Sequence, residues 1–157
     1  MSSLESELAA SYNPRVAAAI ASATKHAPYS SLLGIEVVEQ APGFLRCRLP
    51  ITEKLENGVG LVHGGALVSV FDHALSIVAY PHAEVGKWVA TLEFKVSYIA
   101  PVRSGELVVE ARVVSLRRRI GTVAMEARNG ETLVATAMGT VYIRDKPTKE
   151  AAPRSTE

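Results

Sequence analysis

The chain has 157 residues and a formal net charge of +1, with 48% hydrophobic and 21% charged residues. This size and composition are typical of one globular domain with a core of its own. The near-zero net charge argues against a nucleic-acid-binding protein, because such proteins usually carry a basic stripe.

The order of helical and strand patterns along the chain predicts the fold. The predicted elements are a helical lead-in over residues 1–30, strands over 35–40 and 44–49, a loop over 51–62, a helix over 65–80, and strands over 88–100, 107–116, 120–128 and 131–144. Pro81 cannot continue the long helix, and Asn129-Gly130 is a strong two-residue hairpin signal.

These elements indicate the α+β class. A lone long helix among six strands should pack against one face of the sheet and so give two layers. We expect the last four strands to form an antiparallel meander. The predicted domains are the lead-in over 1–30, the main domain over 31–144, and a charged, Pro/Ala-rich tail over 145–157 that we expect to be disordered.

The expected location of the protein is the cytoplasm. No apolar run approaches the roughly 18–20 residues of a membrane span, and Glu5 and Glu7 stand where a secretory signal would be basic. The single cysteine, Cys47, cannot form an intrachain disulfide, so nothing indicates an oxidising compartment. Cys47 occupies an alternating strand position without a neighbouring His in the sequence, which favours a small strand residue over a nucleophile.

The predicted long helix carries one formally charged residue, Asp72, in an otherwise apolar segment. The polar residues of this helix follow the spacing i, i+3, i+4, i+7 and make one narrow stripe; they are Ser69, Asp72, His73 and Ser76. Such a stripe is either the solvated side of an amphipathic helix or the lining of a pocket or interface. The lack of Lys and Glu on the stripe favours a lining, where a partly buried carboxylate can serve as a general base or nucleophile.

Two glycines, Gly64 and Gly65, begin this helix directly after His63. Glycine exposes the backbone N–H groups and lets a ligand approach closely, and the first N–H groups of a helix have no partner within it. The helix dipole adds roughly half a positive charge at this end. The pattern therefore indicates an anion or oxyanion site, although many helices start with glycine and bind nothing.

The spacing of these residues also predicts an assembly. Gly64 and Asp72 lie eight residues apart, about 12 Å along an ideal helix, so one helix cannot bring both to the same reacting carbonyl. If both act, a second subunit must place the N-terminus of its own antiparallel helix beside this Asp72. A twofold dimer would contain two such sites.

The segments Asn57-Gly58 and His63-Gly64-Gly65, followed by Asp72, resemble the N-G-x4-H-G-G-x6-D signature of the hotdog thioesterases of the phenylacetate-degradation (PaaI-like) type, relatives of the 4-hydroxybenzoyl-CoA thioesterases. The segments 33–36 and 98–101 also resemble that family, and the resemblance covers residues 30–144. It implies a hotdog fold, in which a long central helix is wrapped by a curved six-stranded antiparallel sheet. It also implies homodimers, commonly paired into tetramers, that bind acyl-CoA at the subunit interface.

The resemblance implies metal-free hydrolysis of an acyl-CoA thioester, with CoA as part of the substrate and no separate cofactor. The apolar flank of the predicted long helix and the strand residues favour a hydrophobic acyl or aryl group. In this family's scheme Asp72 is the general base or nucleophile, and the Gly64 N–H of the other subunit polarises the thioester carbonyl. Asn57 holds the attacking water or the carbonyl region, and Thr91 helps to position water. His63 completes the site, shaping the loop more than it transfers protons.

Gly65 and the run Arg117-Arg118-Arg119 are the candidates for binding the CoA part of the substrate. Arginine is well suited to phosphate, although a charge run near a turn is also typical of a solvated surface. The histidines His26, His73 and His82 have no metal-ligand spacing, so we expect no metal site.

Two other functions stay open at this point. A hotdog dehydratase or hydratase would pair a catalytic His with an acid in a different motif, whereas this chain has Asn57 and Gly64-Gly65. A non-catalytic acyl-CoA-binding protein would keep the pocket and lose the base, and the presence of Asp72 argues against it.

Overall fold

The N-terminal segment forms three helices in the computed structural model, which describes residues 2–146. They are α1 (Ser3–Ser11), α2 (Pro14–His26) and α3 (Pro28–Leu33). The side-chain oxygen of Asn13 accepts hydrogen bonds from the N–H groups of Arg15 and Val16, and Pro14 takes the first helical position. The break that the sequence shows at Asn13-Pro14 is therefore the start of a new, capped helix.

Six strands and one long helix make up the rest of the described chain. The strands are β1 (Glu36–Ala41), β2 (Phe44–Pro50), β3 (Lys87–Tyr98), β4 (Glu106–Arg117), β5 (Ile120–Asn129) and β6 (Thr132–Asp145). The long helix, α4 (Gly64–Ile77), lies between β2 and β3 in the sequence. It ends before the predicted residue 80, and Pro81 lies in the short 3-10 turn Tyr80–His82 that follows.

The six strands form one antiparallel sheet in the order β1-β2-β4-β5-β6-β3. The expected meander of the last four strands is therefore wrong for β3, which pairs with β6 at the far edge of the sheet. β4 cannot accept β3 as a neighbour, because its two edges already bind β2 and β5. Of the last four strands, β4, β5 and β6 follow one another as hairpins.

The core lies between α4 and the concave face of this sheet. Val70, Phe71, Ala74 and Leu75 of α4 are completely buried, and they meet the inward-facing side chains of the strands; these include Leu45, Leu49, Leu107, Val109, Val123 and Val141. Each large aliphatic or aromatic side chain contributes about 1.5–3 kcal/mol when it is removed from water. Irregularities in four of the five strand pairings bend the strands, so the sheet curves around the helix. The predicted two-layer α+β architecture is confirmed.

The ends of the described chain bear on two expectations. Asp145, the first residue of the expected tail, is the last residue of β6 and forms an ion pair with Lys87. The remainder of that tail, residues 147–157, lies outside the described residues. Within residues 2–146, no helix combines the length and the apolar character that a membrane span requires. The cytoplasmic location stays a prediction from the sequence.

His82 connects the N-terminal helices to the sheet. Its Nε2 accepts a hydrogen bond from the Gly43 N–H at 3.1 Å, and its Nδ1 lies 2.9 Å from the hydroxyl oxygen of Ser11 in α1. Because Nε2 is the acceptor, the neutral ring carries its proton on Nδ1 and donates to Ser11. Burial lowers the pKa of His82 below its usual value of 6.5.

The free energy of unfolding should therefore fall as the pH drops below about 6.5, because the unfolded chain then takes up a proton that the folded ring resists. Denaturant titrations at pH 7.5 and 5.5 should show a smaller loss in His82→Gln than in the wild type. Burial also lowers the pKa of His73, so part of the loss remains in the variant. An identical loss in both proteins would contradict this role of His82.

Candidate functional site

A cleft of about 520 Å³ opens at the N-terminus of α4. It is formed by the loop before the helix and by the segment that follows β3; the lining residues are Asn57, Leu61, Val62, His63, Gly64, Gly65, Leu67, Tyr98, Ile99, Ala100, Pro101 and Val102. Four of the site residues predicted from the sequence thus lie together. Asp72, Thr91 and the three arginines line no part of this cleft.

Asn57 shapes the loop that forms one wall of the cleft. Its side-chain oxygen accepts hydrogen bonds from the N–H groups of Val59 at 3.0 Å and Leu61 at 3.2 Å. Its own N–H donates to the carbonyl of Leu61 at 2.7 Å. The side-chain amide nitrogen has no protein acceptor within residues 2–146, so it is the part of Asn57 that can bind a ligand.

His63 is the N-cap of α4. Its Nδ1 accepts a hydrogen bond from the Gly65 N–H at 2.8 Å, and its carbonyl accepts one from the Ala66 N–H at 2.9 Å. Nδ1 is therefore unprotonated, and the neutral ring carries its proton on Nε2. This capping arrangement supports the interpretation that His63 shapes the loop.

The Gly64 N–H is the backbone donor that this arrangement leaves for a ligand. His63 occupies the next two N–H groups, those of Gly65 and Ala66, whereas the Gly64 N–H has no acceptor in the described part of the chain. It lies at the positive end of the helix dipole. A single free N–H in a largely apolar cleft can stabilise a negative charge that develops on a substrate oxygen.

Tyr98 is a residue of the cleft to which the sequence alone assigned no role. It ends β3, and its hydroxyl donates to the Gly64 carbonyl at 3.1 Å. The two residues are 34 positions apart, so no local pattern connects them. The contact places the end of β3 beside the start of α4.

Asp72 is exposed in the single chain, which corrects the expectation of a partly buried carboxylate. The lead-in helices cover the neighbouring residues of the polar stripe instead. The Tyr29 hydroxyl lies 2.8 Å from the Ser69 oxygen, and the Thr24 hydroxyl lies 3.2 Å from His73 Nε2. Asp72 therefore stands on the exposed surface of the described chain, eight residues and about 12 Å along the helix from Gly64.

The remaining predicted residues lie elsewhere. Thr91 is half-buried in β3, at an irregularity of its pairing with β6. Arg118 and Arg119 line a second cleft of about 390 Å³ together with His82, Glu84 and Lys87. Arg117 does not line this cleft and forms an ion pair with Glu7 at 3.3 Å.

Two further observations bear on the chemistry. Cys47 is buried in β2, and burial raises the pKa of its thiol to about 12, so it is a core residue as predicted and not a nucleophile. Among residues 2–146, no group of three or more His, Cys, Asp or Glu side chains is placed to hold a metal ion.

Comparison with known proteins identifies relatives of this chain. Residues 59–136 match the family described as the thioesterase superfamily. A protein of Saccharolobus solfataricus named as an esterase is 33% identical over 111 residues, which are 70% of this chain and 73% of its own. Acyl-coenzyme A thioesterase 13 of Homo sapiens is 27% identical over 118 residues, which are 74% of this chain and 84% of the human one.

Two solved structures share the fold. A conserved protein of Pseudomonas aeruginosa is 35% identical, with a TM-score of 0.72 over 77% of this chain and 97% of its own. The PaaI protein of the E. coli phenylacetic acid degradation operon is 22% identical, with a TM-score of 0.75 over 93% of this chain and 99% of its own. The predicted hotdog fold is confirmed.

The cap at His63 generates a prediction that needs no substrate. His63→Ala removes the acceptor for the Gly65 N–H and should lower the free energy of unfolding by about 1 kcal/mol. His63→Asn supplies a side-chain oxygen suited to the same N–H and should stay within a few tenths of a kcal/mol of the wild type. Denaturant unfolding measures both. Equal losses in the two variants would contradict the capping role.

Proposed function

Because this chain belongs to the thioesterase superfamily, we propose that it is an acyl-CoA thioesterase whose reacting groups come from two subunits. The observation that carries the proposal is the Gly64 N–H at the start of α4, which has no acceptor among the residues that the structure describes and lies in a cleft whose walls are mostly apolar. This donor polarises the thioester carbonyl, and Asp72 of a second subunit supplies the carboxylate.

Two features of the chain support a shared site. β3 is an edge strand of 12 residues; Leu92 and Tyr98 in it, and Ile99 directly after it, are each more than half exposed. Long apolar edges of this kind pair with another chain. α4 runs antiparallel to β3, because its first residue contacts Tyr98 whereas Tyr80, just beyond its end, lies beside Val89. Twofold pairing at this edge would turn one helix start toward the exposed Asp72 of the other chain.

The proposed reaction uses groups of the protein and water. The thioester oxygen accepts the hydrogen bond of the Gly64 N–H, and a donor of this kind is worth about 3–4 kcal/mol in the transition state. Asp72 either takes a proton from the water that attacks the carbonyl carbon, or attacks that carbon itself and forms an anhydride that water then opens. The C–S bond breaks, and CoA leaves as the thiolate. The Asn57 amide and the Thr91 hydroxyl position the water.

The lining of the cleft supports a hydrophobic acyl or aryl group. Leu61, Leu67 and Ile99 contribute apolar surface close to Gly64. Burying this surface against an acyl chain is favourable by about 25 cal/mol per Å² of apolar area. A non-catalytic acyl-CoA-binding protein could use the same surface, so the assay of thioester cleavage must decide between the two.

Subunit complementation tests the shared site. Gly64→Pro deletes the N–H at a helix position that tolerates proline, and Gly64→Ala is its matched control because it adds a Cβ and keeps the N–H. Thiol release from acyl-CoA should fall by about 100-fold or more in Gly64→Pro and in Asp72→Asn. Subunits of the two inactive variants, unfolded, mixed and refolded together, should recover about a quarter of the wild-type rate, since hybrid dimers hold one intact site.

Recovery of thiol release in the mixture is expected only if each site takes one group from each of two chains. If the wild-type protein is active and the mixed variants recover no activity, both groups act within one chain and the proposal of a shared site is overturned. Full activity of Asp72→Asn would remove this carboxylate from the reaction. Binding of acyl-CoA without any thiol release from the wild type would favour the non-catalytic alternative.

We also propose that Arg118 and Arg119 bind the phosphates of CoA. Both line the cleft beyond the end of α4, and Lys87 adds a third cation, which is paired with Asp145. The hydrogen bond with the Tyr142 hydroxyl raises the pKa of Arg119, so this side chain stays cationic. Asp72 precedes the end of α4 by five residues, about 8 Å, so Asp72 and the basic cleft lie near the same end of one helix. In the proposed site, the subunit that supplies the carboxylate therefore also binds the phosphates.

Arg118→Asn combined with Arg119→Gln should raise KM for acyl-CoA roughly 10-fold and leave kcat nearly unchanged. Asn suits position 118 because Arg118 has a φ of 50°. The increase should shrink at high salt and vanish for an acyl-pantetheine thioester without nucleotide phosphates. Arg128→Ala is the control, because it removes one positive charge near the opposite end of β5, away from this cleft. A KM increase that is the same for acyl-pantetheine would contradict phosphate binding.

A further inference from the structure

The peptide group that joins Gly64 to Gly65 is held at both ends by side chains. Its carbonyl oxygen accepts from the Tyr98 hydroxyl at 3.1 Å, and its N–H donates to His63 Nδ1 at 2.8 Å. A peptide group is planar, so two contacts at opposite ends fix its rotation about the chain. We call this arrangement the peptide clamp.

The preceding peptide group, between His63 and Gly64, is held at one end. Its carbonyl accepts from the Ala66 N–H at 2.9 Å, while its N–H, that of Gly64, has no acceptor in the described chain and faces the cleft. The direction of this free N–H depends on the torsion angles around Gly64, and the peptide clamp fixes the next group along the chain. Glycine has the widest range of such angles, so without the clamp this donor would have the least defined direction.

The side chains of the clamp leave little room beyond the two glycines. A Cβ at residue 64 would lie 3.0 Å from the Tyr98 hydroxyl and 3.2 Å from its ring carbon Cζ. A Cβ at residue 65 would lie 2.9 Å from His63 Nδ1. The two side chains therefore rest directly on the backbone of Gly64 and Gly65, and a methyl group at either position fits only if the side chain beside it shifts slightly.

Tyr98 contributes to this arrangement mainly through its hydroxyl. The side chain is 57% exposed in the single chain, so it fills no space in the core. Replacing it with Phe therefore removes one hydrogen bond and leaves the packing of the core intact.

We propose that Tyr98 is a positioning residue for the thioester reaction, acting through the peptide clamp to aim the Gly64 N–H at the substrate carbonyl. This inference rests on the proposed function. An interaction that aims an oxyanion donor changes the energy of the transition state more than that of the bound substrate.

Tyr98→Phe tests the proposal, with Tyr29→Phe as the matched control. Tyr29 is also an exposed tyrosine whose hydroxyl contacts α4, at Ser69 rather than at Gly64. We expect Tyr98→Phe to lower kcat about tenfold with KM nearly unchanged, and Tyr29→Phe to leave both at wild-type values. Size-exclusion chromatography of both variants checks that the oligomeric state matches that of the wild type.

A second measurement reads the clamp without a substrate. Hydrogen exchange of the Gly65 amide, followed by NMR of the full-length protein, should become several-fold faster in Tyr98→Phe and stay unchanged in Tyr29→Phe. The proposal would be overturned if Tyr98→Phe showed both the kcat and the Gly65 exchange rate of the wild type. A rise in KM alone would also overturn it, because Tyr98 would then contact the substrate directly.

The two measurements separate this proposal from the proposed function. If the wild type releases no thiol from any acyl-CoA while Tyr98→Phe still accelerates Gly65 exchange, the clamp stands and the proposed reaction fails. If the wild type is active and Tyr98→Phe leaves kcat unchanged despite faster exchange, the reaction stands and the positioning role fails.

Discussion

The packing of one apolar helix into a curved sheet is the constraint on which the rest of this protein depends. Phe71 and Leu75 are completely buried in the concave face, so α4 cannot shift along the sheet without opening the core. This packing places the start of the helix against the end of β3, where Tyr98 reaches Gly64. It places the other end near the basic cleft of Arg118 and Arg119. One rigid element therefore sets the positions of both clefts.

Local patterns in the sequence predicted the elements of this fold because their signals are local. The helix that became α4 follows from its apolar residues and from Pro81, and the hairpin between β5 and β6 follows from Asn129-Gly130, where Gly130 has a φ of 56°. The place of β3 could not be predicted in this way. Strand order depends on which edges are already paired, and β4 meets β2 through residues about 60 positions apart in sequence, such as Cys47 and Val109.

The candidate site was predictable in its parts and less so in its arrangement. The spacing of Asn57, His63, Gly64 and Gly65 identified the residues that share a cleft. The burial of Asp72 was wrong for a single chain, because the lead-in helices cover Ser69 and His73 and leave the carboxylate exposed. Tyr98 belongs to the segment 98–101 that resembles the family, but no pattern in the sequence indicated its contact, since its partner is the backbone carbonyl of a residue 34 positions away.

The close approach of Tyr98 to Gly64 limits how this protein can evolve. The phenol oxygen lies 3.0 Å from where a Cβ at residue 64 would be, so a methyl group is near the largest substituent that the backbone there can accept. A residue larger than alanine at position 64 requires a shorter side chain at position 98. The replacement of Tyr98 by a shorter residue comes first, and it removes the hydroxyl that holds the Gly64 carbonyl. The two positions are therefore expected to drift together, through intermediates less fit than either end.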